Sequence, residues 1–141
     1  FKKGVAQDGD VIFAHNATVG PVAILRTEQP KIILSTSVTY YRPCLKSILP
    51  EFLMYEMRSS AFKKQYEAVM KQATRNQVPI TAQRRLTHTI PEIRVQEQVI
   101  AAAIELEEKS RSLVDLYSRQ ISGINEVRAS LLQKAFAGEL T

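Results

Sequence analysis

The chain has 141 residues, of which 45% are hydrophobic, and a formal net charge of +5. No apolar stretch approaches the roughly 18 consecutive residues that would indicate a membrane span. Cys44 is the single cysteine, so a disulfide framework is excluded and a cytoplasmic protein without a membrane partner is expected.

The positive charge is confined to the first two thirds of the chain. Residues 1–91 hold thirteen Lys or Arg against six Asp or Glu, whereas residues 92–141 hold six against eight. This asymmetry favours a body attracted to phosphate, joined to a segment that faces protein or water. The alternative is that the lysines only make the surface soluble and bind no partner.

Short β-type segments dominate residues 1–43. A turn at residues 8–10 precedes the apolar run 11–14, and a polar turn at 15–20 separates that run from 22–25, so the pair is typical of a hairpin. Residues 31–34 and 38–41 are also rich in β-branched and aromatic side chains. We expect four short strands in one twisted, half-covered sheet.

Helical signals follow the strands. Pro50 begins a predicted helix that reaches about Arg58, and Ser59 or Ser60 is placed to cap a second helix that contains Phe62 and Tyr66. Residues 73–79 are polar and irregular, and residues 81–86 indicate a short helical turn. Strands before helices favour an α+β fold in which the helices cover the sheet.

The last fifty residues carry one uninterrupted helical pattern, from about Arg94 to Ala137, with Gly138 placed to end it. At 1.5 Å per residue the helix would be roughly 60 Å long. Its apolar stripe is narrow, as in a coiled coil, and such a stripe needs a partner helix. The predicted pairing side chains are Leu106, Leu113, Tyr117, Ile121, Ile124 and Leu131. Folding back onto the body, with a break at Gly123, is the alternative.

Residues for catalysis or metal binding are not grouped in the sequence. His15 and His88 are isolated, Asp8 and Asp10 flank a turn glycine, and no pair has the spacing of metal ligands. No phosphate-cradling glycine pattern and no nucleophile elbow occur either. We therefore predict no catalytic residues, no metal site and no bound cofactor in this chain.

Side chains that can contact nucleic acid cluster in two loops. One is the hairpin turn and the other is residues 71–77, with an arginine pair following closely. Arg suits guanine, whereas Asn and Gln suit adenine. The alternatives are that Asn16 only helps to form the turn and that residues 71–77 are a solvated polar loop. The predicted DNA contacts are His15, Asn16, Thr18, Lys71, Gln72, Thr74, Arg75, Asn76, Gln77, Arg84 and Arg85.

Five stretches occur in an order that is informative in itself: residues 9–20, 50–62, 73–80, 90–98 and 131–140. The most specific are Pro91 followed by Glu97-Gln98, and the ending Ala-Phe-Ala-Gly-Glu-Leu at 135–140. In this order the chain resembles the specificity subunit of type I restriction-modification enzymes, over nearly its whole length. Residues 93–95 depart from the more apolar, proline-rich start of the helix that is typical of the family.

The resemblance implies a non-catalytic subunit that reads one half of a split site in double-stranded DNA. Residues 1–91 would be the later part of a target recognition domain, and residues 92–141 a conserved spacer helix. That helix would pair with a second copy or second half of the subunit and dock the methyltransferase and restriction subunits. S-adenosylmethionine and ATP would belong to those partners.

Two features put complete recognition by this chain in question. Family members usually hold two such units, and a recognition domain normally begins well before Phe1, so we expect a fragment or a half-size subunit. The rival interpretation is a coiled-coil scaffold or adaptor whose basic body binds polyanions without sequence preference.

Overall fold

The computed structural model describes residues 4–71 and 75–138. The chain divides into two compact units, residues 1–101 and 102–141. The elements in chain order are β1 (Val5–Ala6), β2 (Val11–Ala14), β3 (Val22–Ile24), β4 (Ile32–Ile33), β5 (Val38–Tyr41), α1 (Pro50–Arg58), α2 (Ser60–Met70), α3 (Ile80–Gln83) and α4 (Ile93–Phe136). The predicted α+β class with a long carboxy-terminal helix is confirmed.

The strands form two sheets rather than the predicted one. An antiparallel sheet has the order β3-β2-β5, and β4 pairs with β1 in a separate two-stranded sheet. The expectation of four strands in one sheet was therefore wrong. β1 has only two residues, too few to show an alternating pattern, so the partner that draws β4 away could not be found in the sequence.

The central hairpin matches its sequence pattern. β2 faces β3 with Phe13 opposite Val22, and the alternation of β2 buries Val11 and Phe13 on one face. Gly20 in the connecting turn has a φ of 121°, and a Cβ atom there would lie 2.9 Å from the Tyr66 hydroxyl. A side chain at position 20 would therefore strain the backbone and displace Tyr66.

The core of the first unit lies between this sheet and the first two helices. Phe13 packs edge-on against Phe62, with ring centroids 6.0 Å apart, and its ring centroid lies 5.6 Å from that of Tyr66. Leu53 and Met57 bring α1 into the same cluster. Edge-to-face aromatic pairs contribute beyond the area they bury, so this cluster fixes how the helices sit on the sheet.

Local signals set the helix ends as predicted. Pro50 is in the first turn of α1, and the Ser59 hydroxyl accepts a hydrogen bond of 3.2 Å from the Phe62 backbone amide at the start of α2. The long helix α4 runs through Gly123 without a break, and Gly138 beyond its end has a φ of 74°. The fold-back alternative required a break at Gly123, and α4 has none.

Asp10 has a larger role than the turn residue expected from its setting. Its carboxylate is 1% exposed and accepts hydrogen bonds from Arg42 Nε at 2.8 Å and Nη2 at 2.7 Å. The Gln7 backbone amide also donates to it, at 2.9 Å. The bond to Asp10 raises the pKa of the Arg42 guanidinium above its ordinary value. This pair joins the turn before β2 to the end of β5.

One buried amide ties the start of α4 to the first unit. Gln96 is fully buried; its Oε1 accepts from the Leu49 backbone amide at 2.9 Å, and its Nε2 donates to the carbonyl oxygens of Ser47 and Pro91 at 2.8 and 2.7 Å. The side chain thus satisfies three main-chain groups just before α1 and α4. Pro50 begins α1 directly after Leu49, so both helix starts depend on this amide.

The first prediction concerns Gln96. Replacement Gln96→Glu puts a carboxylate oxygen against two carbonyl oxygens in a buried site, so we expect the free energy of unfolding to fall by about 3 kcal/mol. Urea unfolding of the whole chain measures it. Gln98→Glu, an exposed position on the same helix, is the matched control and should change stability by less than about 0.5 kcal/mol. Equal effects of the two variants would contradict the assigned role of Gln96.

Candidate nucleic-acid interface

The two loops that the sequence nominated for DNA contact are joined to each other. Asn16 and Gln77 form an antiparallel bridge. The Val78 amide donates to the His15 carbonyl oxygen at 2.9 Å, and the Ala17 amide donates to the Asn76 carbonyl oxygen at 3.1 Å. The bonded residues Ala17 and Asn76 are 59 positions apart in the chain, so no local pattern in the sequence indicated the pairing. The structure brings four of the eleven nominated contacts, His15, Asn16, Asn76 and Gln77, into one short ribbon.

The ribbon has a buried side and an outer side. His15 is 5% exposed and Val78 is fully buried, whereas their neighbours Asn16 and Gln77 are partly exposed. This alternation follows from the two-residue period of extended backbone. Asn16 and Gln77 therefore share the face that points away from the core.

Ala17 at the tip of the ribbon adopts an unusual backbone conformation. Its φ is 63°, which is uncommon for a residue with a side chain. The Asn76 amide nitrogen donates to the Ala17 carbonyl oxygen at 2.6 Å, in addition to the main-chain bond between the two residues. Asn76 therefore holds the hairpin turn in its strained shape.

His15 lies under this ribbon rather than on its surface. Its ring Nδ1 is buried and has no hydrogen-bond partner among the described residues. The ring lines a cavity of about 710 Å³, and Tyr40, Tyr41, Gln83 and Arg84 are among the other lining residues. The cavity brings two nominated residues, His15 and Arg84, to one site from distant parts of the chain.

The remaining nominated contacts are on the surface or outside the described residues. Gln72 and Thr74 lie outside the described residues. The exposed ones are Thr18, Lys71, Arg75, Arg84 and Arg85. Exposed cations of this kind can approach phosphate groups and neutralise their charge.

A set of partly buried polar contacts that includes Tyr41 and Gln83 of the cavity wall was missed from the sequence. His88, which had looked isolated, lies 2.7 Å from Glu56 Oε2 through its Nδ1 and stacks on Phe62 with centroids 5.0 Å apart. Tyr41 donates a hydrogen bond of 3.3 Å to Gln83 Oε1. Burial, with a further contribution from the Glu56 charge, raises the pKa of Tyr41 to about 12. Only the folded chain brings these residues together.

The second unit presents the apolar stripe of α4 to solvent. At about 100° per residue, the six predicted pairing side chains fall within an arc of about 80° on the helix. Their exposed fractions range from 51% for Leu113 and Leu131 to 69% for Leu106. Glu105 and Lys109, four residues apart on the helix, form an ion pair. An apolar stripe of this length without a cover is typical of a helix-pairing surface.

Two absences apply to the described part of the chain. Residues 4–71 and 75–138 contain no cluster of three or more His, Cys, Asp or Glu that could hold a metal ion. Within the same ranges, no helix is both long and apolar enough to cross a bilayer.

Comparison with known proteins gives one relative and one related structure. The chain is 22% identical over all 141 residues to the type I restriction enzyme EcoBI specificity subunit of Escherichia coli, of which it spans 30%. It also matches a chain in a solved structure described as the structural basis underlying complex assembly and conformational transition of the type I R-M system. That match has a TM-score of 0.72 and 19% identity, and covers 98% of this chain and 33% of the other. No family model matches.

These comparisons confirm the resemblance to type I specificity subunits that the order of motifs predicted. The sequence similarity covers the whole chain, and the structural similarity shows the same fold over 98% of it. The chain spans about a third of each protein's length.

The second prediction follows from the partly buried side chain of Tyr41. Because its pKa is raised from 10.0 to about 12, the folded state holds this proton more tightly than the unfolded state. The associated stability is complete below pH 10 and is lost as the pH rises towards 12. We expect a fall of roughly 1 to 2 kcal/mol over this range, reduced from the full linkage value by partial exposure of the ring.

Tyr41→Phe removes the titrating group and should flatten this part of the curve, measured by urea unfolding at a series of alkaline pH values. Tyr117→Phe, which alters an exposed tyrosine of α4, is the control and should follow the original curve. Parallel curves for the original chain and Tyr41→Phe would show that Tyr41 does not cause the alkaline loss.

Proposed function

We propose that this chain is the sequence-reading part of a type I restriction-modification specificity subunit. Its first unit contacts one half of a split site in double-stranded DNA, and α4 sets the distance to the other half and docks the methyltransferase subunits. The chain itself is non-catalytic and acts in the cytoplasm. S-adenosylmethionine and ATP are used by its partners.

The ribbon formed by residues 15–17 and 76–78 is the observation that carries the DNA-reading part. B-DNA's major groove admits a two-stranded β-ribbon, and base-edge contacts there distinguish all four base pairs. The ribbon presents polar side chains outward and is fixed by a buried residue on each strand, His15 and Val78. Arg75, next to it in the chain, is exposed and available for phosphate or guanine.

The charge distribution supports the same assignment. The net charge of +7 in residues 1–91 favours phosphate, and it is concentrated away from the helical unit. Residues 92–141 carry −2, so α4 gains nothing from lying along DNA. Its exposed apolar stripe instead suits a second helix, supplied by another copy or by another part of the subunit.

A scaffold without sequence preference remains the second candidate, because the exposed stripe of α4 fits it equally well. Selection from random duplex DNA separates the two, using the intact protein together with its methyltransferase subunit. Enrichment of a split motif supports recognition. Self-association with no enriched motif supports the scaffold.

The third prediction is that the length of α4 fixes the number of unread base pairs between the halves of the motif. Inserting seven residues near Ser110 keeps the heptad register and lengthens the helix by about 10 Å. That is about three base pairs at 3.4 Å each, so the selected motif should keep its bases and gain about three unread positions.

The matched control inserts the same seven residues between Glu28 and Gln29, an exposed stretch outside the helices. That insertion should leave the spacing unchanged. If the spacing is the same in all three proteins, α4 does not set it.

The fourth prediction concerns Arg75. Arg75→Ala should reduce discrimination between the selected duplex and a scrambled one by about 1 to 3 kcal/mol if the guanidinium contacts a base. An equal loss on both duplexes, with a shallower salt dependence, would assign Arg75 to phosphate instead. Lys46→Ala removes an exposed charge elsewhere in the same unit and is the control. Unchanged binding by Arg75→Ala would exclude this residue from the interface.

A further inference from the structure

We infer that Asn16 and Gln77 are a pair of adenine-reading carboxamides, each contacting one adenine on successive base pairs in the major groove. This inference rests on the proposed function and adds to it the chemical identity of the bases read. Four steps lead to it, from backbone pairing to base chemistry.

The first step is the type of pairing between the two residues. The flanking hydrogen bonds run from Val78 to His15 and from Ala17 to Asn76, so Asn16 and Gln77 face each other with no main-chain hydrogen bond between them. In such a non-hydrogen-bonded pair the Cα atoms are about 4.5 Å apart and the side chains leave on the same face. The backbone therefore places two carboxamides side by side.

The second step is that both amides are unused. Neither side chain has a hydrogen-bond partner among the described residues, although both are partly exposed. By contrast, the amides of Gln83 and Gln96 are buried and bonded, and the Asn76 amide is bonded to Ala17. The outer face of the ribbon thus offers two free donor and acceptor sets at neighbouring positions.

The third step is the match to adenine. A carboxamide presents an N–H donor and a C=O acceptor side by side, which pair with adenine N7 and the N6 amino group. Guanine offers two acceptors at the same edge and cytosine a donor alone, so neither satisfies both atoms of the amide. Successive base pairs are stacked about 3.4 Å apart, and side chains on facing residues about 5 Å apart can each reach one.

The fourth step separates reading from positioning. Asn76 holds Ala17 through its side chain and main chain, so it fixes the turn that carries Asn16. Asn76 is therefore a positioning residue for both readers. Loss of its side chain should weaken the two adenine preferences together, whereas loss of one reader should weaken one of them.

The experiment compares motifs selected from random duplex DNA by the intact protein with its methyltransferase subunit. The unaltered protein should select adenines at two successive positions in one half of the motif. Asn16→Ala should make one of these positions degenerate and Gln77→Ala the other, and Asn76→Ala should blur both. If another part of the subunit reads the other half of the motif, that half should not change; if a second copy of this chain reads it, both halves should change alike. Gln29→Ala, an exposed amide outside the ribbon, is the control and should leave the whole motif intact.

Two further measurements test the atoms involved. Replacing either adenine by 7-deazaadenine removes the N7 acceptor and should weaken binding by the original protein about 5- to 150-fold. The same replacement should cost little further affinity in the alanine variant that lacks the amide reading that adenine. Gln77→Glu keeps the side-chain shape, but the carboxylate can only accept hydrogen bonds. Because cytosine offers an N4 donor, the base preference at this position should shift from adenine towards cytosine. This variant keeps the inference testable if alanine at position 77 disturbs folding.

The outcomes are distinguishable. A split motif that is unchanged in the Asn16 and Gln77 variants overturns the inference and leaves the proposed function standing. If the original protein binds DNA with 7-deazaadenine at both positions as tightly as DNA with adenine, the inference is likewise overturned and the proposed function stands. Failure of the original protein to select any motif overturns the proposed function, and the inference with it.

Discussion

The bridge between residues 15–17 and 76–78 is the constraint on which the proposed DNA-reading surface depends. It joins the tip of a hairpin to a segment some sixty residues later, through two main-chain hydrogen bonds and the Asn76 side chain. Closing a loop of that length costs entropy, and the buried Phe13, Phe62 and Val78 cluster offsets it by fixing both strands to one core. Base recognition requires side chains held to within a fraction of an ångström, which a free hairpin turn cannot provide.

A second set of contacts gives α4 a fixed start. Gln96 satisfies main-chain groups beside the beginnings of α1 and α4, and the partly buried pair of Glu56 and His88 anchors the segment that leads into α4. These polar contacts are directional, whereas hydrophobic burial is not. A helix that serves as a spacer needs such contacts at its start, because a small change of direction there is magnified along its length.

The sequence predicted the elements whose patterns are local and long enough to repeat. The Val11–Ala14 and Val38–Tyr41 strands, the Pro50 and Ser59 helix starts and the long α4 all follow from period, capping or proline placement. Three features could not be predicted in this way, because each depends on a partner distant in the chain. They are the two-residue strand β1, the Asp10–Arg42 pair and the Gln96 hydrogen bonds. The same holds within the site: sequence composition nominated Asn16, Asn76 and Gln77 alike, and only tertiary pairing separates the positioning amide from the two free ones.

The two units meet opposite physical demands. The first unit fixes its polar groups by burying one side of the ribbon, and it leaves the amides on the other side without partners among the described residues. In α4 the apolar groups are the ones left without partners, and 44 residues of helix with a narrow stripe are not stable in water by propensity alone. Pairing of α4 with another helix would therefore add stability and define spacing in one step. On this view the association of α4 precedes productive reading, because two half-sites can be engaged together only when both recognition units are held at a fixed separation.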